Sequence, residues 1–140
     1  MSRKPESQFI FSVHKHISST QVYSMKNHNA YVGGIADVWY SGRTADLWIE
    51  YKFITSDTPR LPVVPTLSPQ QFRWIKDRKK EGRNVWVIVG HKKGGVIYRD
   101  LIEIELGIPP KEFIERMLSR KALAAEIYDF CYKEPKNETT

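Results

Sequence analysis

The sequence predicts an α/β domain, a central mixed sheet flanked by helices in the order αβββαβ, with extra helices at the C-terminal end. Three observations lead there. Two β-rich runs, 35–40 and 45–53, flank Ser41-Gly42-Arg43-Thr44, a connection suited to a hairpin. A proline-rich stretch, 54–67, is followed by a well-capped helix start at Ser68-Pro69. The run 84–90 is almost continuously apolar, the pattern of a strand buried on both faces. Strand, helix and strand over this length predict a right-handed parallel crossover, which sets 84–90 beside 45–53.

Taken in order, the chain supports each element. Phe9, Ile10, Val13 and Ile17 recur at helical spacing, with Pro5 and Glu6 suited to the first turn, so a helix is expected over 5–17. Ser18-Ser19-Thr20 breaks it, 21–26 reads as a short strand, and Asn27-His28-Asn29 as a turn. Pro59, Pro62 and Pro65 exclude a helix or central strand from 54–67. In the helix that follows, Gln71 is placed to complete a capping box with Ser68, and Gly82 ends it. A basic turn, 91–95, leads into a returning strand from Val96. Residues 101–106 fit either a strand or a short helix, and helices are expected over about 111–120 and 122–132. The chain reads as one domain over 1–132, with its core at about 5–100, a helical extension at about 101–132 and a polar tail at 133–140.

Composition narrows the function. Hydrophobic residues make up 41% of the 140 positions, enough for a core, and no apolar run nears the ~20 residues that span a bilayer. The N-terminus lacks a signal-peptide pattern. The single cysteine, Cys131, excludes an internal disulfide and a cysteine zinc site, and a cytoplasmic setting is expected. A net charge of +6 favours an anionic partner, of which nucleic acid is the commonest.

Alternation along 45–53 sorts its side chains. Leu47, Ile49, Tyr51 and Phe53 share a core face, and Asp46, Trp48, Glu50 and Lys52 share the other. The hairpin brings Asp37 near Glu50. Phosphodiester hydrolysis needs a metal held by carboxylates, an activated water and neutralisation of growing negative charge. Asp37 and Glu50 can supply two oxygen ligands to a hard ion such as Mg²⁺, with the Tyr51 backbone carbonyl as another. Lys52 can orient the water or stabilise the transition state, and Glu6 is a further candidate carboxylate. Lys26, His28, Arg60, Lys92 and Lys93, with the basic group at 76–83, are candidate DNA contacts. Trp39 and Trp48 share the site face, to stack on a base or to fill a core or dimer surface. His14 and His16 cannot share a helix face, so a metal site there is not expected.

Gly34-Ile35-Ala36-Asp37 followed by Glu50-Tyr51-Lys52 resembles the split signature of the PD-(D/E)xK nucleases, with Ala36 where the family has proline. Glu6 before a helix is similar to the third acidic residue of the Holliday junction resolvase branch. Ser68-Pro69-Gln70-Gln71 resembles the glutamine-bearing helix of the VRR-NUC subgroup, which implies a site role for Gln71. The resemblance covers roughly 6–90 and implies a restriction-endonuclease-like core. It implies a Mg²⁺-dependent DNA endonuclease, with Mn²⁺ substituting, selective for branched DNA. A homodimer would suit a two-fold junction, with the apolar residues of the last thirty positions as candidate surface. The alternatives are a nuclease on linear or single-stranded DNA, serving phage DNA degradation or repair, and a non-catalytic nucleic-acid-binding module.

Overall fold

In the computed structural model, which describes residues 4–27, 33–56 and 58–133, five strands form one sheet. They are β1 (Tyr23–Lys26), β2 (Val38–Ser41), β3 (Asp46–Phe53), β4 (Val85–His91) and β5 (Gly94–Tyr98), side by side in that order. β1, β2 and β3 pair antiparallel, β3 and β4 parallel, and β4 and β5 antiparallel. The parallel pair is joined through α2 (Pro69–Lys80), as the crossover rule predicts. β3 is therefore the central strand, and every residue of β4 is buried.

Each face of the sheet has its own apolar cluster. On one, α1 (Pro5–His14) and α5 (Arg120–Cys131) bring Phe9, Ile10, Val13, Leu123 and Ile127 against Leu47, Ile49, Tyr51, Trp86 and Ile88. On the other, Ile75 of α2, Ile104 of α3 (Leu101–Leu106) and Phe113 of α4 (Pro110–Glu115) meet Val85, Val87 and Val89. The alternation of β4 between the two clusters is the strand period made visible. Gly90 and Gly95 are paired across β4 and β5, and a Cβ on either would come within 2.9 Å of the Phe9 ring. The missing side chains form the slot that seats α1 on the sheet.

Several boundaries differ from the sequence expectation. α1 ends at His14, and turn hydrogen bonds from His16 to Val13 and Ile17 to His14 close the chain down before Ile17. Residues 101–106 are helical. The helix expected over 111–120 stops at Glu115, because Leu118 forms a bridge to Gly95 and Ser119 then caps α5. Most of the apolar residues of the last thirty positions are not a free surface: Leu123, Ala124, Ile127 and Cys131 are buried in the α1-side core, while Ile114 is 49% exposed. Amphipathic spacing marks a face to be covered, and here the sheet covers it.

Ser68 caps α2 with a full capping box: its Oγ accepts from Gln71 N at 3.1 Å, and its own N–H donates to Gln71 Oε1 at 3.0 Å. Ser68→Ala is expected to cost about 1 kcal/mol in a urea unfolding curve. An unchanged midpoint would show that the Gln71 half of the box suffices. Among the described residues no helix is long and apolar enough to cross a membrane.

Candidate active site

Glu50 lies in the middle of β3 and is 1% exposed. A carboxylate there needs partners, since burial strips its hydration. It has two. Gln71 Nε2 donates to Glu50 Oε2 at 3.1 Å, and Lys52 Nζ stands 3.4 Å from the same oxygen. The other oxygen, Oε1, is buried with no hydrogen-bond partner among the described residues. Burial is the main cause that pushes Glu50 up to about 8, the Asp37 carboxylate adds to it, and Lys52 pulls the other way.

Gln71 has one side chain and several tasks. Its Oε1 accepts from Ser68 N and from Lys52 Nζ at 3.2 Å, while its Nε2 holds Glu50. The capping box that starts α2 therefore also locks the Glu50–Lys52 pair from the second layer. Cap and site residue, alternatives in the sequence, coincide because the start of α2 sits over the face of β3 that carries Glu50 and Lys52.

Asp37 falls just before β2 rather than within a strand. The β2–β3 register, Val38 opposite Ile49, extends to set Asp37 opposite Glu50. Its main chain is held by the residue after β1, where Asn27 N donates to Asp37 O at 2.7 Å. Its side chain is held by β3, where Tyr51 N donates to Asp37 Oδ2 at 2.9 Å. The Tyr51 N–H thus fixes the Asp37 carboxylate. Glu6, in the first turn of α1, joins the same field: burial and then Asp37 raise its pKa, while Lys52 and Lys26 oppose them. Both carboxyl groups are thus raised mainly by burial, and the like charge of Asp37 adds to it.

The five candidates Glu6, Asp37, Glu50, Lys52 and Gln71 are therefore brought together by α1, the approach to β2, β3 and α2. Among the described residues no three His, Cys, Asp or Glu side chains gather tightly enough to cage a metal by themselves. The donor set nonetheless fits a hard ion that keeps several waters. It offers the Asp37 and Glu50 carboxylates, with Glu50 Oε1 buried and without a hydrogen-bond partner among the described residues.

The expected DNA contacts scatter. Lys26 is exposed on β1 beside the carboxylates. Lys92 and Lys93 are exposed in the β4–β5 turn, and Arg60 is exposed on the proline-rich loop. His28 lies outside the described residues.

Three groups escaped the sequence reading. His91 is buried and takes a hydrogen bond from Lys93 N on Nδ1, so its Nε2–H donates to Ser56 O at 2.8 Å. That bond pins the loop after β3 to the end of β4. On the core face, Tyr51 and Tyr40 hydroxyls are 2.5 Å apart, and Tyr40 continues the chain to His14 Nε2. Arg120 stacks over Phe9 and donates to the carbonyls of His91 and Lys92. The only sequence signal for the first two was a polar residue inside an apolar-patterned element.

No family model matches the chain, and no curated protein matches it. Among solved structures it is similar to Hjc, a Holliday junction resolvase from the archaeal hyperthermophile Archaeoglobus fulgidus, with a TM-score of 0.54. The match covers 86% of this chain and 96% of that one at 15% identity. At that identity the likeness is one of fold, and the mixed five-stranded sheet flanked by helices is the fold the two chains share.

Proposed function

We propose that this chain is a metal-dependent DNA endonuclease that cuts branched DNA. The observation that carries the reading is Glu50: a carboxylate buried at the centre of the sheet, one oxygen clamped by Gln71 and Lys52 and the other without a partner among the described residues. A carboxylate is costly to keep there for structure alone. Asp37, Glu50, the Tyr51 carbonyl and Glu6 would hold Mg²⁺ or Mn²⁺. When bound, such an ion supplies Lewis-acid polarisation of a phosphoryl oxygen and lowers the pKa of a bound water. The chain's own groups do the rest. Lys52 sets a positive charge where phosphoryl oxygens gain negative charge. Gln71 holds that ammonium and Glu50 at fixed separation, and the Tyr51 N–H fixes the Asp37 carboxylate.

Branched DNA is favoured over linear DNA by the shared fold with a protein named as a Holliday junction resolvase. A two-fold junction is matched by two copies of the chain. The surface we assign to that contact is the uncovered part of the β1–β2–β3 face. There Tyr23 and Trp39 stand ring to ring at 5.9 Å, beside Trp48, on which Trp74 of α2 packs, and Tyr23 and Met25 are 59% and 43% exposed.

A four-way junction and its linear duplex, at equal concentration with Mg²⁺, test the proposal. Faster cutting of the junction is expected. Equal rates would leave a nuclease without junction preference. No cleavage with either Mg²⁺ or Mn²⁺ would leave a binding module.

A further inference from the structure

Between α1 and β1 lies a groove of about 380 Å³ lined by Ser7, Ile10, Phe11, His14, Ser24 and Lys26. Its polar side chains are two hydroxyls, an imidazole and an ammonium, and among the described residues no carboxylate lines it. The strand period explains the gathering. Ser24 pairs with Tyr40 and Lys26 with Val38, whose side chains are in the α1-side core, so both residues point to the α1 side of the sheet.

The His14 ring is set from within the core. Tyr51 is fully buried, and its hydroxyl meets only Tyr40 among the hydrogen bonds of the described residues. A buried hydroxyl proton needs an acceptor, so Tyr51 donates to Tyr40. Tyr40 must then donate onward, and its partner is His14 Nε2. With Nε2 accepting, a neutral His14 carries its proton on Nδ1. Burial, with Lys26 second, lowers His14 to about 4, in keeping with a neutral ring. His14, which lines the groove, thus keeps its Nδ1–H as the ring donor that Tyr40 does not use.

We infer that this groove is a phosphate subsite, which takes a backbone phosphate of the nucleic acid next to the one being cut. Lys26 supplies the charge, and Ser7, Ser24 and His14 Nδ1–H supply neutral donors, a set that suits phosphate oxygens. Its position fits that use. Lys26 interacts with both His14 and Glu6, and the neighbouring Asn27 holds the Asp37 main chain, so the groove adjoins the carboxylates. This inference rests on the nuclease reading for its ligand.

Binding in EDTA separates the two claims, because it needs no cleavage. Fluorescence anisotropy with a labelled four-way junction over a salt series is the readout, followed by kcat and KM with Mg²⁺. Lys26→Gln is expected to weaken binding by about tenfold and to reduce the salt slope by about one. His14→Gln keeps an acceptor for Tyr40 but loses the Nδ1–H. It should weaken binding several-fold at unchanged salt slope and raise KM rather than lower kcat. His14→Asn retains a polar group near the Nδ1 position and should recover part of that loss, which a purely structural role would not allow.

If DNA binds and is cut but both Lys26→Gln and His14→Gln behave as the parent, the subsite is wrong and the nuclease reading stands. If the parent neither binds nor cuts DNA, both fall. Oligonucleotides with and without a 5′-phosphate locate the ligand. Equal losses with both confirm a backbone phosphate. A loss confined to the phosphorylated end keeps the subsite and assigns it to a terminal phosphate.

Discussion

Glu50→Gln is expected to lower cleavage by about 10³-fold while making the metal-free protein more stable near pH 8. The two effects have one cause. Burial pushes the Glu50 carboxyl up to about 8 from an ordinary value of 4.5. Between those values the folded chain keeps a proton that the unfolded chain has released. Its contribution to stability is therefore complete below pH 4.5 and is lost as pH rises through about 8. The limiting slope is about 1.4 kcal/mol per pH unit, with stability falling as pH rises. The amide has no such proton to lose. Urea unfolding in EDTA at acidic and alkaline pH checks this: the parent should weaken across the interval and Glu50→Gln should not. Mg²⁺ should stabilise the parent at the alkaline end, since it binds only the folded carboxylates. Identical pH slopes in parent and variant would remove the argument for a strained carboxylate, and with it the main support for the metal site.

Phe9→Ala is expected to cost about 3–5 kcal/mol and to reduce cleavage well below the unfolding midpoint. Phe9 is 1% exposed, its ring lies 6.1 Å from Tyr51 and 6.0 Å from Phe53, and it fills the slot left by Gly90 and Gly95. With Ile10 and Val13 it is a contact by which α1 grips the sheet, and α1 carries Glu6. Gly90→Ala attacks the same contact from the other side, since its Cβ would meet the Phe9 ring at 2.7 Å. Chemical denaturation gives the stability. Cleavage assayed at low temperature, where each variant is folded, gives the second effect. Full activity in a folded Phe9→Ala protein would show that the seating of α1, and Glu6 with it, is dispensable.

The fold was legible because local signals were strong and agreed. Alternation in 45–53, the Ser68-Pro69 helix start and the apolar run 84–90 each imply one element, and the crossover rule then leaves one arrangement of the central strands. The helical end of the chain was less legible. Residues 101–106 are too short for a period to decide between strand and helix, and the break after Glu115 is made by a bridge from Leu118 to Gly95, which is distant in sequence. Which of the site-face aromatics joins the core could not be told until α2 was placed: Trp74 of α2 packs on Trp48 against the core, and Trp39 with Tyr23 lies beyond them.

For the candidate site, the chain order alone determined that Asp37, Glu50 and Lys52 would meet. A hairpin and a period of two suffice to place a carboxylate pair and an ammonium on one stretch of sheet. What only the tertiary structure decided was their electrostatic condition and their company. Burial of Glu50, the reach of Gln71 to both Glu50 and Lys52, the nearness of Glu6 and the chain from Tyr51 through Tyr40 to His14 all depend on elements that pack against β3 from remote parts of the chain. Desolvation and hydrogen-bond partners are properties of that packing, and no spacing along the sequence encodes them.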